Sequence, residues 1–201
     1  MVKRARGTRD FLDLKLMHFA IAAITKHLKQ YNFKEIVTPL IEETALFKRS
    51  LGNDTDVVSK EMFIVSSSSE QEQDKEDSLC LRPEATASIV RAFVENGIQI
   101  VPWKVFLSGQ MYRYERPQKG RYREFFQTSI EIIGAHSIRY DVQLLSLLDT
   151  LFRDIFLLES YALHINFIGC VQDRIAFKNR LETFLQTYTD KVCATCLVKI
   201  G

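Results

Sequence analysis

Leu14, Met17, Ile21, Ile24, Leu28 and Tyr31 recur at spacings of three and four, which places all six on one stripe of a helix. Asp13 is a fair N-cap for it. A short apolar stretch, Phe33 to Val37, runs into Thr38-Pro39; proline cannot donate to a ladder, so this reads as an edge or a strand start. A helix over Glu42–Leu51 follows and stops at Gly52. Strands are predicted at Glu61–Val65 and Leu79–Leu81. Between them Ser66 to Asp77 reads SSSSEQEQDKED, five acids and one lysine without an apolar residue, a solvated loop. Glu84 to Asn96 is helical by pattern, with Ala85, Ile89, Val90, Phe93 and Val94 apolar and Gly97 as the stop. A greasier helix spans Asp141 to Leu158, its stripe of Val142, Leu145, Leu148, Phe152 and Ile155 widened by Leu144, Leu147 and Leu151. Leu163, Ile165 and Phe167 alternate with His164 and Asn166, a strand ending at Gly169, and a last helix covers Val171 to Tyr188.

Strands and helices interleave without regular βαβ spacing, and the clearest strand pair is a hairpin from Trp103 to Gly134. The pattern therefore predicts an α+β fold with a largely antiparallel sheet flanked by helices. Arg116-Pro117-Gln118-Lys119-Gly120 has the composition of the hairpin's turn. Period-two alternation sends Phe126, Thr128, Ile130 and Ile132 to a core face, and Arg121, Arg123, Phe125, Gln127, Ser129 and Glu131 to a polar one. If Glu115 pairs with Arg121, then Arg113 opposes Arg123 and Met111 opposes Phe125 on that polar face. Two arginines side by side repel unless an anion lies between them, and Phe125 beside them would offer a platform for a base. Periodicity alone leaves two readings open, an anion site and an ordinary solvated face.

The chain has 201 residues, 46% hydrophobic and 26% charged, which suits a globular protein and excludes collagen-like, mucin-like and wholly disordered classes. Its longest stretch without Asp, Glu, Lys or Arg, Ser160 to Gln172, is 13 residues, short of a membrane helix. A net charge of +2 gives no general reason to bind nucleic acid or anionic lipid. The hairpin is the local exception: from Met111 to Glu124 five basic residues stand against two acids. Asp10 and Asp13 interrupt the basic start of the chain, and the apolar pattern continues to Tyr31, which reads against a secretory leader. Four cysteines then read as reduced thiols of a cytosol-like compartment. Cys193-Ala194-Thr195-Cys196 lacks the further ligands a metal needs, so these are read as incidental thiols, and no metal is expected on protein side chains alone. His18 and His27 lie nine apart on different faces of the first helix and are read as helix-surface histidines.

Leu81-Arg82-Pro83-Glu84-Ala85-Thr86 and the run Tyr112-Arg113-Tyr114-Glu115-Arg116-Pro117-Gln118-Lys119-Gly120-Arg121-Tyr122-Arg123-Glu124-Phe125-Phe126-Gln127 resemble the class II aminoacyl-tRNA synthetases, and among them the histidyl-tRNA synthetases. The opening Arg6-Gly7-Thr8-Arg9-Asp10 is similar to that family's start, Thr38-Pro39 after a long helix to its motif 1, and Tyr112–Phe126 to its motif 2. The resemblance covers the chain to about residue 190 and implies the N-terminal part of the catalytic domain over residues 1–201. It implies a cytoplasmic homodimer that takes histidine, ATP with Mg2+, and the acceptor end of tRNA(His). Histidine's carboxylate attacks the α-phosphate of ATP to give histidyl-adenylate and pyrophosphate, and a ribose hydroxyl at the tRNA 3′ end then takes the histidyl group.

By that resemblance Arg113 binds the α-phosphate and the amino-acid carboxylate and is the catalytic residue. Glu115 helps hold the adenine, Phe125 stacks on it, and Arg121 reaches the terminal phosphates. Glu84, Ala85, Thr86, Gln127 and Glu131 surround the histidine, while Arg116, Gln118, Lys119 and Arg123 approach the acceptor stem. For Glu84 the plain reading, a helix-start acid favoured by the helix dipole, stands beside this one. Ala85 replaces the family's usual glycine, and the acidic loop is longer than usual. The sequence stops at Gly201, before the family's motif 3 and anticodon-binding domain, so half of the active site is expected to be missing. The rival reading is a non-catalytic relative, a regulatory subunit of ATP phosphoribosyltransferase, which should lack the uninterrupted Arg116–Phe125 run.

Overall fold

The computed structural model describes residues 2–52, 61–66, 78–188 and 191–193. Ser66 apart, the acidic stretch lies outside the described residues, as do Ala194 to Cys196. Met1–Glu159 form one compact unit and Ser160–Gly201 a second.

In the first unit helix α1 covers Lys15–Gln30, followed by β1 (Lys34–Glu35), β2 (Ile41–Glu43) and α2 (Thr44–Leu51). Then come β3 (Phe63–Val65), β4 (Leu79–Leu81), α3 (Thr86–Glu95), β5 (Trp103–Tyr112), β6 (Glu124–Ile133) and α4 (Ile138–Thr150). Two three-stranded sheets result. One has the order β1-β5-β6, with β1 parallel to β5 and β5 antiparallel to β6; the other, β2-β4-β3, is antiparallel throughout. The hairpin pairs Met111 with Phe125 and Trp103 with Ile133, but at the tip Arg121 bridges to Gln118 and not to Glu115, so the pairing of Glu115 with Arg121 is corrected.

The expectation of one core face and one polar face on the hairpin is corrected. Both faces carry core. Phe106, Ile130 and Ile132 pack with Leu28, Phe33 and Leu147 under α1 and α4. On the opposite face Val105, Leu107 and Met111 are buried against Ala85 and Ile89 of α3. On that second face β6 places Gln127, Ser129 and Glu131 between Phe125 and Ile133, which pack against the same apolar cluster. A third cluster joins Phe47, Cys80 and Ala87 beneath the small sheet.

Glu42 and Glu43 belong to β2 and not to the start of α2, because Ile41, Glu42 and Glu43 pair with Leu81, Cys80 and Leu79. Asp13 caps one residue early: its carboxylate accepts from Lys15 N (2.9 Å), while Leu14 holds the cap position. His27 is not a surface histidine. It is buried, its Nε2 lies 3.0 Å from the Leu147 carbonyl, and its ring meets Tyr31 edge-on, so the last turn of α1 faces α4. The long helix expected to reach Leu158 changes register at Leu151–Ile155, a single π turn closed by Phe156 N on Leu151 O (2.9 Å). Leu157, at φ 52°, then ends it.

In the second unit the strand expected over Leu163, Ile165 and Phe167 does not form. A ladder needs a partner, and among the described residues no strand pairs with it. Helix α5 (Val171–Thr187) does form, its N-terminus closed by a reciprocal pair in which Cys170 N donates to Asp173 and Asp173 N to Cys170 Sγ. Among the described residues no helix is long and apolar enough to cross a membrane.

Candidate active site on the hairpin

That second face places a row of polar β6 side chains beside the loop that enters α3. Leu81 ends β4, and Arg82 to Ala85 then carry the chain under the end of β5 into α3. Glu84 is buried and accepts two backbone N–H groups, Thr86 N at 2.6 Å and Ala87 N at 2.9 Å. Its carboxylate thus closes the first turn of α3, where the helix dipole favours a negative charge. Thr86, the first residue of α3, donates its hydroxyl to Glu131 Oε1 at 2.6 Å, and Gln127 Nε2 donates to Ser129 Oγ at 2.9 Å. Burial, with nearby Glu84 adding to it, pushes the Glu131 carboxyl above the usual carboxylate range, against the lowering effect of the Thr86 hydrogen bond. Glu84, Thr86 and Glu131 are thus linked into a polar group with an excess of negative charge, with Ala85 between Glu84 and Thr86 and with Gln127 on the same row of β6 as Glu131.

Next along the same face is a cationic group. Arg113 donates Nε–H to the Pro83 carbonyl (2.9 Å), stands 5.3 Å from the centre of the Phe125 ring, and has Nη1 3.9 Å from Glu115 Oε1. Glu115 Oε2 also takes Arg121 at 3.3 Å, with the Arg121 side chain 64% exposed. Arg113, Glu115, Arg121 and Phe125 are thus brought together.

The expected bracket of Arg113 and Arg123 around one anion does not form. The two residues do face each other, with Arg113 N donating to Arg123 O at 2.9 Å. The Arg123 guanidinium, however, turns to the carbonyls of Glu115 (3.2 Å) and Arg6 (3.4 Å) and stacks over Tyr114 at 3.8 Å. Mutual repulsion is relieved by this divergence and by Glu115 between Arg113 and Arg121. Arg123 also donates its backbone N–H to Gly7 O at 2.7 Å. Gly7 sits at φ +87°, and a Cβ there would fall 2.8 Å from the Arg123 side chain, so the N-terminal segment can strap the hairpin only with glycine at this point. Arg6, Arg116, Pro117, Gln118 and Arg123 line a hollow of about 460 Å³ at the hairpin tip. Lys119 is exposed at the turn and is not among them.

With this geometry in place, the comparisons with known proteins are decisive. The family model described as histidyl-tRNA synthetase matches residues 12–191. The chain belongs to the histidyl-tRNA synthetase family. It is 39% identical to a histidine–tRNA ligase of Koribacter versatilis over 98% of its own length and 46% of the relative's. To that of Halothermothrix orenii it is 40% identical, over 100% of this chain and 47% of the other. Against the crystal structure of the apo S. aureus histidyl-tRNA synthetase the TM-score is 0.73 at 28% identity, covering 100% of this chain and 46% of that one. The chain thus spans about half the length of the curated relatives it matches, and its fold is that of the histidyl-tRNA synthetase class II catalytic core.

Sequence reasoning missed one residue that organises this site. Arg82 is buried, and its guanidinium donates to Gln110 O, to Thr38 O and to the Thr38 hydroxyl. Nothing in the periodicity marks it, because a charged residue between a strand end and a proline reads as surface loop.

Proposed function

We propose that this chain forms the histidine- and ATP-binding part of a histidine–tRNA ligase, acting in the cytoplasm as a homodimer. The observation that carries the reading is the adjacency, on one sheet face, of an acidic group, Glu84 and Glu131, and a cationic group joined to it through Pro83. An amino acid is a zwitterion. Glu131 and Glu84 offer acceptors for its ammonium and imidazole N–H groups, and a bound cation relieves the cost that burial and mutual repulsion place on Glu131. Its carboxylate then faces Arg113.

Attack by that carboxylate oxygen on the α-phosphorus of ATP forms the acyl–phosphate bond and breaks the bond to the β-phosphate, releasing pyrophosphate. Arg113 meets the charge developing on the α-phosphate oxygens; removing one such donor typically costs about 2.7–4 kcal/mol of barrier lowering. Phe125 offers its ring to the adenine, Glu115 holds the guanidiniums of Arg113 and Arg121 apart, and exposed Arg121 is free to swing to the terminal phosphates. The tRNA(His) 3′ hydroxyl then attacks the histidyl carbonyl and AMP leaves. Arg116, Gln118, Lys119 and Arg123 face the acceptor end. Mg2+ enters with the ATP phosphates: among the described residues no three His, Cys, Asp or Glu side chains gather as a metal site, so no step is assigned to it.

The homodimer reading is supported by apolar side chains left exposed on α1 and beside Pro39, namely Leu16, Phe19 and Val37. Light scattering should show twice the chain mass at micromolar concentration; a stable monomer counts against it. The catalytic reading is tested by histidine-dependent exchange of pyrophosphate into ATP, using a version extended to the relatives' length. Exchange with histidine is expected, and exchange only with another amino acid refutes the substrate.

A further inference from the structure

Arg82 is the point where three segments of the chain are held together. Its Nε–H donates to Gln110 O (3.1 Å) near the end of β5, and Nη1 donates to Thr38 O and Oγ1 (both 3.0 Å), with Pro39 O at 3.5 Å. Its own backbone is fixed as well: Arg82 N donates to Leu40 O (2.9 Å), and Arg82 O accepts from Tyr112 N (3.1 Å). Arg82 is 3% exposed, and each of these acceptors is neutral. A buried cation is costly, and here, with no carboxylate in contact among the described residues, carbonyls and a hydroxyl take its donors.

A second observation shows that the sheet is built around this group. Gly109 leaves the space that Arg82 fills, since a Cβ there would lie 2.7 Å from Arg82 Nη2. The residue after Arg82 supplies the carbonyl that receives Arg113 Nε–H at 2.9 Å. The residue after that, Glu84, closes α3 and so places Thr86 on Glu131.

We propose that Arg82 is a positioning residue for Arg113: by pinning the Thr38–Pro39 segment and the end of β5 to the 82–84 loop, it fixes the Pro83 carbonyl and thereby the direction of the Arg113 guanidinium. Arg82 touches no reacting group in this account. It acts only through its neighbour. The functional meaning rests on the reading of Arg113 as the phosphate ligand, but the coupling itself does not.

The test follows the Arg113 Nε–H directly, by NMR of the 201-residue chain carrying 15N-arginine, with Arg113→Lys assigning the signal. Arg91 Nε–H, which donates to Glu42 Oε2 at 3.0 Å, serves as the internal control. Arg82→Lys, which keeps the charge and loses the planar fork, should speed solvent exchange at Arg113 Nε–H by about thirtyfold, the factor expected for losing roughly one charge-assisted hydrogen bond, and leave Arg91 unchanged. Thr38→Val, a smaller change that removes only the hydroxyl acceptor, should act in the same direction even if Arg82→Lys does not fold. Unchanged exchange at Arg113 in a folded variant of either kind overturns the proposal, and so does equal acceleration at Arg91. A coupling that appears as expected while Arg113→Ala leaves ATP affinity intact would defeat the functional reading and leave the positioning role standing.

Discussion

Glu84→Ala should destabilise the chain before it affects any ligand. The Glu84 carboxylate accepts Thr86 N at 2.6 Å and Ala87 N at 2.9 Å, and the N-cap residue itself, Ala85, has no side chain able to do so. Hydrogen bonds to a charged group are worth about 1.5–3 kcal/mol each, caps about 0.5–2 kcal/mol, and a carboxylate at a helix N-terminus about 0.3–1 kcal/mol from the dipole. These overlap, so the alanine variant should lose about 2–4 kcal/mol in all. In a domain of this size that is roughly 4–16 °C in Tm, at about 2–4 °C per kcal/mol. Glu84→Gln keeps one acceptor oxygen and should lose roughly half as much. Urea denaturation and thermal melting of the three chains, read by far-UV circular dichroism without ligand, measure both. A loss below about 0.5 kcal/mol for Glu84→Ala would refute the reasoning and would mean that the carboxylate does not hold the first turn of α3.

Glu131→Gln should stabilise the folded chain at neutral pH while weakening histidine binding. Because the folded carboxyl titrates above its unfolded value, its stabilising share is fully present below the ordinary carboxylate range and lost as pH rises through the folded pKa. The variant's advantage in Tm should therefore widen from about pH 4 to about pH 8, and a constant or shrinking gap contradicts this. Phe106→Ala, at a fully buried position among Leu28, Phe33 and Leu147, should cost about 3–5 kcal/mol by urea denaturation, whereas Phe126→Ala, 37% exposed, should cost well under half of that.

What the sequence made legible was the part governed by local rules. The hairpin itself followed from a turn with Pro and Gly between two strand-like arms, and Met111 does lie opposite Phe125, although the tip pairs Arg121 with Gln118 and not with Glu115. Strand β4 and the helices were legible for the same reason. What escaped depended on distant partners. Val105, Leu107 and Met111 share a face with the polar row of β6, and they are buried because Ala85 and Ile89, distant in sequence, pack on them. His27 is buried because α4 packs against the last turn of α1, and Leu163 to Phe167 alternate with no strand among the described residues to pair with. The candidate site was legible chiefly through resemblance, since periodicity left the anion site and the solvated face equal. The Arg82 hub was invisible to both, as its acceptors are backbone carbonyls and a hydroxyl up to 44 residues away.

The central claim is that Arg113, held between Pro83, Glu115 and Phe125, is the residue that receives the nucleotide's phosphate. Calorimetric titration of ATP into the 201-residue chain, with Arg113→Ala and Arg139→Ala beside it, tests this most directly. Arg139 carries the same charge but lies at the start of α4, beyond the hairpin. Loss of a charge-assisted contact of about 2 kcal/mol predicts roughly a thirtyfold weaker affinity for Arg113→Ala, and a change within about twofold for Arg139→Ala. Equal losses from the two substitutions would mean that only the overall charge attracts ATP, and would contradict the assignment.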